Sequence, residues 1–318
     1  MLMVVAAIYA VFSVALGLVL GQNALHPPRR LLLKTHEYQI RKRVEQLGGR
    51  LAAVSLKAHD GTMLQAWLFS PAGDARNGHA VLWLHGVADN RESGASMAML
   101  LVSHGYTVLT PDARASGASG GEYATYGVLE RDDVREWVQW LRARQPAGCI
   151  HGMGGSMGAA HLLQALAVDP PMFCDAIAES SFGSFREVAF DRVGQQLGTG
   201  PWLGRTLLRP AIEVGFASAR WRTGLDLSDA DPARLLRQST TPVLLIQGLA
   251  DRNMPVRHAY ALATANPDRV TLWLVPHATH VAAWAAAPSE YPARVLGFFA
   301  AHEPRPPAGA ATSRLQDR

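Results

Sequence analysis

Lysine, cysteine and early charge are scarce in this chain of 318 residues, and each scarcity excludes something. Three of the 30 basic residues are lysines; the other 27 are arginines, scattered without a basic run interleaved with aromatics. The formal charge of +4 therefore argues against a nucleic-acid groove and is compatible with a basic face toward anionic lipid headgroups. Two cysteines, Cys149 and Cys174, are too few for a disulfide framework, and zinc-ligand spacing is absent. Both fall in apolar segments, so each is expected to be free and to pack as a small hydrophobe. No internal repeat is visible, and a mean hydropathy of +0.03 is too low for a protein of many membrane spans.

The first twenty residues, MLMVVAAIYAVFSVALGLVL, lack any charged side chain. As a helix rising 1.5 Å per residue they cover about 30 Å, the thickness of a bilayer core. A cleaved signal peptide carries a basic residue ahead of a shorter apolar core, and this segment has neither feature. A core helix is disfavoured because nothing polar interrupts the run. The expectation is a single-pass anchor over residues 1–22, followed by a juxtamembrane segment over 23–49. Arg29, Arg30, Lys34, Arg41, Lys42 and Arg43 follow, and the positive-inside rule places them, with the rest of the chain, in the cytoplasm.

Beyond Arg50 short apolar runs alternate with longer amphipathic ones. LAAVSLKA (51–58) and MLQAWLF (63–69) alternate apolar and polar residues around the turn-forming His59-Asp60-Gly61-Thr62, as an antiparallel hairpin does. AVLWLHG (80–86), YTVLTPD (106–112), CIHGMG (149–154), DAIAES (175–180), PVLLIQG (242–248) and VTLWLVP (270–276) are near-continuously apolar, as strands buried on both faces should be. Between them Val134, Trp137, Val138 and Leu141 recur at helical spacing. The alternation predicts an α/β fold with a mostly parallel sheet, whose ligands sit at the carboxyl ends of the strands. Residues 181–241 interrupt the rhythm and are expected to form a small helical cap; the tail, 303–318, is expected to be disordered.

Gly154-Gly155-Ser156-Met157-Gly158 lies between a strand and the helix-like AAHLLQALAV. A serine on so sharp a turn is pushed out above the sheet, beside the N–H groups of a helix N-terminus. Its hydroxyl needs a base, and the base needs an orienting acid, in the order Ser, Asp or Glu, His along the chain. Asp251, just past PVLLIQG, and His280, just past VTLWLVP, meet both requirements. His277 is the rival base or a turn residue, and Asp226, Asp229 and Asp231 are rival acids within the insertion. Backbone N–H groups of Met157 and Val87 are the candidate oxyanion donors. His85 is expected to buttress the loop after the third run, and His151 to be structural.

With LHGVADN (84–90), GGSMG (154–158), QGLAD (247–251) and PHATH (276–280), the chain resembles the α/β-hydrolase superfamily, and within it the serine-aminopeptidase-like, membrane-anchored small hydrolases. The resemblance spans roughly residues 50–300. It implies the α/β-hydrolase fold with an eight-stranded sheet over residues 50–302, no cofactor or metal, and hydrolysis through an acyl-enzyme. It also implies Ser156 as nucleophile, Asp251 as acid, His280 as base, and Val87 and Met157 as oxyanion donors. The chain departs from the family pattern at Ala115, where a glycine is usual, and at His277 and Thr279, where small residues are. The expected substrate is a small-molecule or acyl ester or thioester, with a peptide or amide as the alternative. A non-catalytic, membrane-tethered binding module is the reading from another class.

Overall fold

The structure is a computed structural model and describes residues 1–144, 148–196 and 198–304. Its strands are Arg50–Lys57 (β1), Met63–Ser70 (β2), Ala80–Leu84 (β3), Thr107–Pro111 (β4), Ile150–Gly155 (β5), Asp175–Glu179 (β6), Val243–Gly248 (β7) and Val270–Val275 (β8). They form one sheet in the order β1-β2-β4-β3-β5-β6-β7-β8. β2 runs antiparallel to both β1 and β4, and the remaining pairs are parallel. This is the α/β-hydrolase fold expected from the sequence.

The near-continuous apolar runs have a direct cause. In β7, Val243 and Leu245 point into one apolar cluster while Leu244 and Ile246 point into another, on the opposite face. β5 and β6 divide in the same way, with Ile150 and Ala176 on one side and Met153 and Ile177 on the other. Both faces therefore need apolar side chains, and each Leu or Ile so buried contributes about 1.5–3 kcal/mol.

The helices are Leu2–Leu25 (α1), Lys34–Gln46 (α2), Ala95–Ser103 (α3), Glu130–Arg142 (α4), Met157–Ala165 (α5), Phe185–Gln196 (α6), Pro201–Arg205 (α7), Arg209–Thr223 (α8), Pro232–Leu236 (α9), Arg257–Ala265 (α10), Ala283–Ala286 (α11) and Glu290–His302 (α12). Trp137 of α4, Leu162 of α5 and Leu262 of α10 cover one face of the sheet; Leu101 of α3 and Val295 and Phe299 of α12 cover the other. Helices α6 to α9 intervene between β6 and β7, and Phe185, Val188, Ile212 and Phe216 form a third apolar cluster there, which Leu25 of α1 joins.

Helix α1 buries only Ser13, Gly17, Gly21 and Leu25, one residue per turn, and just 11% of its most apolar window is buried. That stripe lies on α8. A Cβ at Gly17 would come 2.4 Å from the Ala211 carbonyl oxygen, and one at Gly21 would come 2.7 Å from that of Gly215. These contacts advance together along both helices, so α1 and α8 run parallel with their backbones nearly touching. The Tyr9 hydroxyl adds a hydrogen bond to the Leu207 carbonyl at 2.6 Å.

Two expectations need correction. Cys149 and Cys174 are not free: they form a disulfide across the start of β5 and β6, with Cα atoms 5.7 Å apart. Adjacent parallel strands bring their Cβ atoms within bridging range, a proximity that the linear spacing of 25 residues does not reveal. The tail expected to be disordered from residue 303 begins with an anchored residue, since Glu303 accepts the Tyr106 hydroxyl at 2.6 Å; from residue 305 it lies outside the described residues.

Candidate active site

Ser156 sits between β5 and α5 at φ 54° and ψ −119°, a strained geometry for a residue with a Cβ. Both flanking glycines are needed to close this turn. A Cβ at Gly154 would meet the Gly158 backbone at 2.7 Å, and one at Gly158 would meet the Leu84 carbonyl oxygen at 2.3 Å. The turn therefore lifts the serine above the carboxyl edge of the sheet, against the loop that follows β3, where a Cβ at Gly86 would lie 3.9 Å from Ser156 Oγ.

From two other strand ends come Asp251 and His280. Ser156 Oγ and His280 Nε2 are 2.9 Å apart, and His280 Nδ1 lies 2.8 Å from Asp251 Oδ2. With the Nδ1 proton donated to the carboxylate, the Nε2 lone pair faces the serine hydroxyl. Asp251 Oδ1 accepts the N–H groups of Asn253 and Met254 at 2.9 and 2.8 Å. Burial alone would raise the Asp251 pKa, but the hydrogen bonds from His280 and the Met254 N–H outweigh it and hold the carboxyl below its ordinary value.

The rivals lie elsewhere. His277 is exposed, at φ 60° in the turn after β8. Asp226 and Asp231 cap short helices by accepting the N–H groups of Ser228 and Arg234 at 2.9 Å each, and Asp229 pairs with Arg234. His85 buttresses its loop, donating from Nδ1 to the Gly86 carbonyl at 2.7 Å and accepting the Ala113 N–H on Nε2 at 2.9 Å. His151 is fully buried against Asp175. Ala115, the departure from glycine, stands at φ 55° in the left-handed region.

Two residues escaped the sequence reading. Ser180, buried at φ 54° just past β6, hydrogen-bonds the Asp251 carboxylate and accepts the Val281 N–H at 3.3 Å. Glu179 before it accepts the Ala283 N–H at 2.9 Å and the Tyr291 hydroxyl at 2.8 Å, fixing the segment after His280. Burial drives the Glu179 pKa up against those two bonds. Both stand at the carboxyl end of a strand, the position that pointed to Asp251.

Above Ser156 lies a cavity of about 880 Å³. Ser156, Met157, His280 and Val87 line its floor; Phe182, Phe185, Val188, Ile212 and Phe216 line it from the α6–α9 side. Leu20, Gly21, Asn23 and Ala24 bring α1 into its wall. At the far end of β5, His79, Cys149 and His151 place potential metal ligands within 4.8 Å of one another. The thiol of Cys149 is consumed by its disulfide, and His79 Nδ1 accepts the Cys149 N–H at 2.9 Å, so this cluster is committed internally.

Solved structures of the same architecture include the Pyrococcus furiosus esterase Pf2001, with a TM-score of 0.65, 25% identity, and 87% of this chain and 97% of that one covered. A puromycin-hydrolyzing peptidase of Mycobacterium tuberculosis aligns with a TM-score of 0.62 at 20% identity, over 80% of this chain and 40% of that one. Among sequences, YfhR of Escherichia coli (strain K12) is 26% identical over 237 residues, 73% of this chain and 74% of that one. YqkD of Bacillus subtilis (strain 168) is 24% identical over 223 residues, 70% and 71% respectively. Residues 81–297, which hold all three linked side chains and the loops around them, match the alpha/beta hydrolase family, and the chain belongs to that family.

Proposed function

We propose that the protein is a membrane-associated serine hydrolase that cleaves a carboxylic ester or thioester through an acyl-enzyme. The observation that carries this reading is His280, bonded at once to Ser156 at 2.9 Å and Asp251 at 2.8 Å. Ser156 Oγ attacks the acyl carbon while its proton passes to His280 Nε2, and Asp251 stabilises the imidazolium that forms. The N–H groups of Met157 and Val87 receive the charge developing on the carbonyl oxygen. His280 returns the proton to the departing alkoxide or thiolate, and water then releases the acyl group by the same route. Ester or thioester cleavage is favoured over amide cleavage by the apolar cavity. Recognition of a peptide amino terminus calls for an unpaired carboxylate, whereas Asp89 on the cavity wall is paired with Arg30 at 3.0 Å.

Helices α6 to α9 act in this reading as the cap that keeps water from the acyl-enzyme. Helix α1 is the membrane element. Most of its side chains outside the α8 stripe and the cavity wall are exposed, including Ile8, Val11, Phe12 and Val19. Only residues 2–12 project beyond the docked stripe, about 16 Å of helix, half a bilayer core. Inserting α1 fully therefore draws α8 to the headgroup level. Trp202, 62% exposed, lies in α7 a few residues before Leu207, whose carbonyl holds Tyr9 of α1, and serves as the interfacial aromatic at that end.

A fluorophosphonate probe tests the chemistry. Wild type is labelled, Ser156→Ala and His280→Ala are not, and His277→Ala is labelled as wild type. Labelling that persists in Ser156→Ala refutes the assignment.

A further inference from the structure

An anchor whose only task is tethering needs no place in the active site, yet α1 has one. Leu20, Gly21, Asn23 and Ala24 line the same cavity as Ser156 and His280. The helix reaches that position because Gly17 and Gly21 let it touch the α8 backbone, where any larger residue collides with Ala211 or Gly215. Helix α8 in turn presents Ile212 and Phe216 to the cavity, so the two helices form one continuous apolar wall. Tyr126 fastens the far end, donating its hydroxyl to the Ala24 carbonyl at 2.8 Å.

From this arrangement we infer that α1 is part of the acyl-binding site, and that the substrate is a long-chain acyl ester whose chain lies between α1 and the α6–α8 helices. The inference rests on Ser156 being the nucleophile. A cavity of about 880 Å³ is near the upper end for small-molecule sites, and an acetyl group leaves most of it unfilled. Each methylene moved from water onto such a wall strengthens binding about fourfold, so affinity is expected to rise with chain length until the wall is covered. The face of α1 turned away from the cavity is apolar and exposed, so one helix contacts both lipid outside and acyl chain inside. Docking of α1 thus sets chain-length preference as well as location.

The test uses the full-length protein in detergent micelles, with p-nitrophenyl acetate and p-nitrophenyl decanoate as substrates. Wild type should favour decanoate in kcat/KM by at least tenfold. Gly17→Leu, which lies outside the cavity but forces α1 off α8, should keep acetate turnover within twofold and lose at least tenfold on decanoate. Ala24→Trp, which fills the wall from within, should shift the optimum toward shorter chains even if Gly17→Leu fails to fold. A decanoate-to-acetate ratio unchanged in Ala24→Trp, or a wild type that prefers acetate, overturns the inference while fluorophosphonate labelling of Ser156 leaves the hydrolase reading standing. Absence of both labelling and ester turnover in wild type overturns the two together.

Discussion

Asp251 is pulled in two directions, by burial toward the neutral acid and by hydrogen bonds from His280 and Met254 toward the carboxylate, and the bonds prevail. Its charged form therefore stabilises the fold fully above the ordinary carboxylate pKa of about 4, and that contribution is lost as pH falls through the lowered native value. Asp251→Asn is expected to lower kcat on a short-chain ester by about 10⁴. A loss smaller than tenfold contradicts the pairing. His277 offers the contrasting case. At φ 60° it holds a left-handed turn at a cost of about 1 kcal/mol, which glycine avoids. His277→Gly should keep full turnover and melt no lower than wild type, and a tenfold loss of turnover would return it to the site.

At the scale of elements, the turn joining β5 to α5 depends on atoms that almost touch. Gly158→Val places a side chain against the Leu84 and His85 carbonyl oxygens, 2.3 and 2.5 Å from the first added carbon. A loss of about 3 kcal/mol is expected in chemical denaturation, with activity falling in parallel. This turn was legible in the sequence because glycine at fixed offsets from a serine has a single geometric use here. The parallel strands were legible for a related reason, since burial on both faces leaves an unbroken apolar run. Helix α2 was not, being polar nearly throughout with only Val44 buried. Its place is set by partners distant in sequence, such as the Leu51 carbonyl that accepts Arg41 at 2.5 Å and the Glu92 carboxylate 2.8 Å from His36. Ser180 was hidden for the same reason: its partners Asp251 and Val281 lie more than seventy residues away and become neighbours only in the sheet.

On the scale of the whole molecule, membrane attachment and compartment are joined through features at opposite ends of the fold. If α1 enters lipid with the amino end of α8 at the surface, Trp202→Ser should weaken binding to anionic vesicles several-fold in a flotation assay and leave acetate turnover intact. The side of the membrane follows from different residues. Counting basic residues after α1 places the domain in the cytoplasm, but Arg29 donates to the Ala115 and Gly121 carbonyls and Arg30 pairs with Asp89, so two of those charges serve the fold. Disulfides persist in oxidising compartments and are rare in the cytosol, so the Cys149–Cys174 bridge argues for a domain outside it. Closing a loop of 25 residues stabilises by about 3 kcal/mol through the restriction it places on the unfolded chain. The Cys149→Ala, Cys174→Ala variant should therefore unfold at lower denaturant by that amount while Ser156 still reacts with the phosphonate. In cells quenched with acid, a thiol-alkylating reagent applied to the denatured protein should add no mass before reduction and two adducts after it. Two adducts before reduction would return the domain to the reducing side, where the count of basic residues alone had placed it.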